Sequence, residues 1–392
     1  MSTKDNKLQG VWHYPTSVHF GVGRISRLPE TCRSLNISHP LLVTDTGLLT
    51  QDFILKSLET NAEAGLECRL FSEVKSNPTG KNIDEGVKAY HEARCDGVIA
   101  MGGGSALDAG KAIALMVGQD RPIWDFEDIG ENWLRVKPEA IAPSIAIPTT
   151  AGTGSEVGRA AVILDTSCQI KKIIFHPKML PEVVIADPAL TRSLPAHLTA
   201  ATGLDAFVHL LEAYCTPGFH PMAEGIALEG MRLVKENLLR AFEAGQDLSA
   251  RAYMMSASLM GAVAFQKGLG AVHALAHPLG AIFDKHHGLL NAILLPYVLR
   301  RNRPAIEKKM KRAAIYIGLS DASFEVFYDW VLSLRKTLQI PETLQDIGIT
   351  ASERDRIGQM AFDDPSASGN PISFTAEDYA AIFEDAVMGK GL

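Results

Sequence analysis

Asp205 and His209 stand four residues apart in Ala-Ala-Thr-Gly-Leu-Asp-Ala-Phe-Val-His-Leu-Leu-Glu, residues 200 to 212, a stretch that reads as an apolar helix. At that spacing both side chains leave the same helix face. Further on, Leu-Gly-Ala-Val-His-Ala-Leu-Ala-His-Pro-Leu-Gly again sets two histidines four apart, His273 and His277, and Asp284-Lys-His-His-Gly adds His286 and His287. Five of the twelve histidines thus fall in two short segments, alongside Asp205. A single helical histidine is ordinary packing, but an Asp-x-x-x-His pair followed by two further clusters is hard to explain that way. An imidazole-rich set with one carboxylate suits a divalent transition metal, whereas calcium and magnesium prefer oxygen shells. Spacing separates neither His277 from His273 nor His286 from His287.

The segments Gly203-Leu-Asp-Ala-Phe-Val-His-Leu-Leu-Glu-Ala-Tyr, Gly270-Ala-Val-His-Ala-Leu-Ala-His-Pro-Leu-Gly and His287-Gly-Leu-Leu-Asn-Ala-Ile-Leu-Leu-Pro resemble the iron-dependent (group III) alcohol dehydrogenase family. The likeness runs over nearly the whole chain. It implies that Asp205, His209, His273 and His287 bind the metal and that His277 lies beside it, near substrate or nicotinamide, without ligating it, which makes His277 the candidate catalytic residue for relaying the proton. It further implies iron(II), with zinc also accepted by such donors, the cofactor NAD, and a small alcohol/aldehyde substrate. The family usually forms homodimers or larger homo-oligomers.

A nucleotide must be held by other elements. Gly97-Val-Ile-Ala-Met reads as a buried strand running into Gly102, Gly103, Gly104 and Ser105, then a helix from Ala106. Strand, glycine cluster and helix N-terminus make an anion site, because backbone N–H groups and the helix dipole can face a pyrophosphate. Leu107 occupies the place of a third glycine in Gly-x-Gly-x-x-Gly, and Ser105 with Asp108 has the spacing of a capping box. Gly21-Val-Gly23 is better read as a plain turn. Pro40-Leu-Leu-Val-Thr-Asp45 is a short buried strand whose terminal carboxylate can accept from ribose hydroxyls, favouring NAD over NADP, or simply cap a turn.

Thr149-Thr-Ala-Gly-Thr-Gly-Ser-Glu could surround a nucleotide with donors or be a polar linker. The family resemblance extends to that motif and to Asn77-Pro-Thr-Gly, and it places a cofactor-contacting lysine at Lys171, in an expected hairpin that also holds Val162. The resulting cofactor set is Asp45, Asn77, Gly102, Gly103, Gly104, Ser105, Asp108, Thr149, Thr150, Thr153, Ser155, Val162 and Lys171.

Strands alternate with helices up to Asp187-Pro-Ala-Leu-Thr-Arg-Ser-Leu-Pro195, and almost everything after is helical. The expected fold is an α/β NAD-binding domain with a parallel, Rossmann-like sheet, residues 1–195, then an all-α metal and substrate domain, residues 196–392, with the cleft between them holding the site. Dehydroquinate synthase, a lyase using NAD and a metal, resembles this architecture. Its phosphorylated, carboxylated substrate demands several cations, and here only Lys267 and Lys285 lie near the ligand segments. A non-catalytic NAD- or metal-binding protein is the other alternative.

Two departures from the family pattern stand out. Phe265-Gln-Lys-Gly-Leu-Gly is one residue shorter than usual, which bears on substrate choice, and Gly369-Asn-Pro-Ile-Ser lacks the arginine that often follows Asn-Pro.

A chain of 392 residues accommodates two cores. A net charge of −7 with no Lys/Arg run argues against nucleic acid and anionic membranes as partners. Five cysteines without a Cys-x-x-Cys pair, and an N-terminal stretch without a signal-peptide apolar core, lead to the expectation of a cytoplasmic protein.

Overall fold

The computed structural model describes residues 13, 14 and 16–391. Two compact units divide the chain: Pro15–Thr150 with Gly154–Ser193, and the residues from Leu194 onward together with Ala151–Thr153. The first unit contains β1 (Ser17–Phe20), α1 (Leu28–Ser34), β2 (Pro40–Asp45), α2 (Asp52–Glu63), β3 (Arg69–Val74), α3 (Gly80–Glu92), β4 (Gly97–Gly102), α4 (Gly104–Met116), β5 (Ser144–Pro148), β6 (Ala160–Asp165), β7 (Ile170–Phe175) and β8 (Val183–Ala186).

Six of these strands form one sheet in the order β1-β8-β5-β4-β2-β3, and every pairing in it is parallel. Such sheets are covered on both faces, so their strands are continuous apolar runs. Alternation along the pleat divides them between two cores. Leu41, Val43 and Val98 enter the one that includes Ala109 and Ile113 of α4. Leu42, Ile99, Met101, Ile145 and Ile147 enter the other, with Leu28 and Ile54 of α1 and α2. β6 and β7 pair antiparallel as a separate hairpin.

The second unit is helical: α5 (Ala196–Cys215), α6 (Pro221–Glu243), α7 (Leu248–Ala264), α8 (Ala271–Phe283), α9 (His287–Tyr316), α10 (Phe324–Thr337), α11 (Arg354–Asp363) and α12 (Ala376–Met388). α5 is buried along nearly its whole length, which explains why its sequence is apolar all round. Gly288 lets α9 begin hard against it: a Cβ there would stand 2.5 Å from the Ala201 carbonyl oxygen. Met254 and Met255 are core residues of α7. Among the described residues no single helix is long and apolar enough to cross a membrane.

Candidate active site

α5 supplies Asp205 and His209, the first turn of α8 supplies His273, and α9 opens on His287. One ligand atom each from Asp205, His273 and His287 lies within 4.8 Å of the other two. Asp205 Oδ1 is 4.0 Å from His273 Nε2 and 3.8 Å from His287 Nε2. Asp205 and His273 are each 1% exposed, so the lone pairs converge away from solvent. His209 is buried and stacks on His273, ring centroids 4.6 Å apart, outside the group of three. Burial pushes its imidazole down to about 4, against the attraction of Asp205.

His286 and His287, inseparable by spacing, have different local work. His286 is the N-cap of α9, its Nδ1 accepting from Leu289 N at 3.3 Å. His277 lies one turn along α8 from His273 and stacks on His287 at 5.4 Å with 12° between ring planes. Its Nδ1 is 2.8 Å from Asp364 Oδ2. Burial works against the Asp364 carboxylate, but the charge and hydrogen bond of His277, with Ser366, hold it below the ordinary range.

Sequence reasoning missed three residues of this centre. Glu212 accepts from His273 Nδ1 at 2.6 Å, from Val272 N at 2.7 Å and from Gly270 N at 3.0 Å. That fixes His273 with its proton on Nδ1 and the Nε2 lone pair inward. Burial opposes a charge on His273, yet Glu212 and Asp205 together raise its pKa. Glu212 follows Asp205 and His209 on one face of α5, a signal available in the sequence. Asn291, one turn beyond His287, places its amide nitrogen among the three ligand atoms. Asp364 comes from the end of α11 and carries no sequence signal at all.

Lys267, in the shortened segment, is ion-paired with Glu224 at 2.7 Å with its side chain 2% exposed. Glu224 also binds Lys309 at 3.1 Å. Neutralised and enclosed, Lys267 is not a free cation. Cys215 is buried, which pushes its thiol up to about 12 and keeps it unreactive.

In the α/β unit, β4 ends at Gly102 with φ +154°. The helix starts earlier than the sequence suggests: Gly103 is the N-cap of α4 and no side chain caps it. The expected Ser105–Asp108 capping box is absent. Ser105 Oγ instead donates to the Ser76 carbonyl, while Asp108 turns to accept from Ser155 Oγ and, at 3.0 Å, from Val162 N. The reason is Lys111, buried one turn on, which pairs with Asp108 at 3.3 Å and donates to the Ser155 and Ala160 carbonyls.

Asp108, Ser155 and Val162 are therefore tied to one another. Thr149 N donates to Gly102 O at 2.9 Å, and Thr150 stands against Gly103. Asp45 lies near Gly102, and burial raises its carboxyl against hydrogen bonds from Gly47 and Leu48. Ala151–Thr153 belong to the helical unit, and Lys171 is half-buried on β7.

A parallel α/β unit followed by a helical unit with converging carboxylate and imidazole groups is the organisation of a metal-dependent, nucleotide-using enzyme. The profile described as iron-containing alcohol dehydrogenase matches residues 15–188, and that described as Fe-containing alcohol dehydrogenase family, C-terminal, matches residues 199–387. The chain belongs to the iron-containing alcohol dehydrogenase family. It is 38% identical to 4-hydroxybutyrate dehydrogenase of Cupriavidus necator over 384 residues, covering 96% of this chain and 99% of that one. It is 35% identical to 1,3-propanediol dehydrogenase of Klebsiella pneumoniae, covering 95% and 97%.

A crystal structure of 1,3-propanediol oxidoreductase has the same fold, with a TM-score of 0.90 and 36% identity over 96% of this chain and 100% of that one. The chain is accordingly an NAD-dependent alcohol dehydrogenase and, in reverse, an aldehyde reductase. The lyase and non-catalytic alternatives fall away.

Proposed function

We propose that Asp205, His209, His273 and His287 hold the divalent metal, iron(II) by family, in the helical domain, and that the glycine loop, Asp45, Asn77, the Thr149–Ser155 segment and Lys171 serve NAD. The observation that carries the metal assignment is the convergence of three ligand atoms from α5, α8 and α9 within 4.8 Å of one another. The donor set fits a transition ion: one carboxylate charge, neutral imidazoles, and an inward Nε2 on His273. The substrate class is a short primary alcohol bearing a second polar group, the chemistry shared by 4-hydroxybutyrate and 1,3-propanediol. Lys267 is spent on Glu224, so a carboxylate on the substrate is not recognised there.

When bound, the metal supplies Lewis-acid polarisation of the substrate oxygen. Asp205 contributes the one negative charge of the donor set, and Glu212 keeps His273 in the tautomer that presents a lone pair. NAD, held by the residues named above, would supply the hydride acceptor, while His277 would take the alcohol proton at Nε2 with Asp364 holding its Nδ1. The five free thiols suit a cytoplasmic setting. Among the described residues β1 is an edge strand of the sheet, a place where a second copy can pair, and the homodimer or larger form is read by light scattering.

Metal analysis after anaerobic purification, followed by reconstitution with each ion and assay of NADH formation on short alcohols, tests the reading. Chelation should abolish turnover, iron(II) should restore it, and Asp205→Ala should neither retain metal nor recover. Full turnover of the chelated protein would refute the assignment.

A further inference from the structure

Asn291 is completely buried on α9. Its amide nitrogen is 2.7 Å from Asp205 Oδ1, 3.1 Å from His287 Nε2 and 3.2 Å from His273 Nε2. The Asp205 oxygen accepts, and His273 Nε2 accepts because Nδ1 carries the proton given to Glu212. Turning the amide over would aim an oxygen at these acceptors, so the contacts fix which end faces in. At the other end, Asn291 Oδ1 is buried without a hydrogen-bond partner among the described residues. The donor end of the amide therefore faces lone pairs that belong to three of the proposed metal ligands.

We infer that Asn291 is an internal competitor for the metal: its amide nitrogen occupies the lone pairs that a cation must take, and yielding them sets the affinity of the centre. This rests on the ligand set proposed above. The amide hydrogens face Asp205 Oδ1 and His273 Nε2, with His287 Nε2 also within reach, and they carry only partial positive charge, so a divalent ion displaces them. Until then it keeps a buried carboxylate and two imidazoles from being left unpaired. Removing the amide therefore has opposite effects on two quantities that a purely structural residue would move together.

The test uses the full-length protein stripped with chelator, Zn2+ as the probe, and competition against a chromophoric chelator. Asn291→Ala should bind Zn2+ about tenfold tighter than the wild type, the loss of one charge-assisted hydrogen bond to the competitor. Its melting temperature should fall further below the wild-type value without Zn2+ than with it. Asn291→Leu, close in shape and without the amide, should likewise bind tighter; this variant reads the inference independently should Asn291→Ala fold poorly. Unchanged or weaker Zn2+ binding by both variants, or equal melting losses with and without Zn2+, would overturn the inference while leaving the ligand set standing. A wild-type protein that takes up no Zn2+ would overturn the ligand set and this inference with it.

Discussion

Glu212 shows how one carboxylate outside the ligand set can govern it. Its oxygens take three hydrogen bonds, from His273 and from the Gly270 and Val272 amides at the start of α8. The same group therefore orients an imidazole and satisfies orphan N–H groups of a helix N-terminus. Glu212→Gln keeps the shape but loses the charge, and it places an amide donor where one of those N–H groups now points. Metal affinity should fall about 10- to 100-fold, measured by competition titration, whereas a residue serving only helix capping would leave affinity unchanged and lower the melting temperature alone. The legibility of this centre follows the same logic. Asp205, His209 and Glu212 share a face of one helix, and His287 and Asn291 share a face of another, so period alone relates the members of each set. Asp364 reaches His277 only through the packing of α11 against α8, which no local pattern encodes.

At the scale of elements, the junction of β4 with α4 turns on Gly102. Its φ of +154° belongs to a region that L side chains rarely adopt, and an added Cβ would lie 2.6 Å from Ala106 Cβ. That backbone conformation lets α4 begin at Gly104, two residues before the point the sequence suggests. The misplacement arises because Ser105 and Asp108 have capping-box spacing but bond instead to Ser76, Ser155 and Val162. Gly102→Ala must shift the junction, at a strain of roughly 1–3 kcal/mol. The KM for NAD should rise about tenfold, with metal content unchanged because every proposed ligand sits in the helical unit. Steady-state kinetics at varied NAD, alongside metal analysis, reads both outcomes. Loss of metal together with NAD affinity would mean that the junction supports the whole protein and not the nucleotide loop in particular.

For the molecule as a whole, a continuous aliphatic run made β2 legible to the residue, Pro40–Asp45, since a strand buried on both faces favours such runs. Strand order was not legible: β8 is only Val183–Ala186, and its place between β1 and β5 depends on tertiary packing. Nor did the sequence reveal that Glu156, in a polar glycine-rich loop, is 1% exposed. Its Oε1 has no hydrogen-bond partner among the described residues, and burial pushes its carboxyl up to about 7 despite the nearby Lys111, whose own pKa burial lowers. Asp108, paired with Lys111, adds to the rise. In the unfolded chain the group titrates near 4.5, so between those values the folded protein binds more protons than the unfolded one. The stabilisation is complete below the unfolded value and is lost as pH rises through about 7, a change of about 3 kcal/mol. Glu156→Gln is neutral at every pH and keeps the side-chain shape. Thermal melts of metal-loaded wild type and Glu156→Gln from about pH 5 to about pH 8 should therefore diverge, the wild type losing stability relative to the variant as pH rises. A difference curve flat across that range would mean that Glu156 is already ionised in the fold, with Lys111 as its counter-charge.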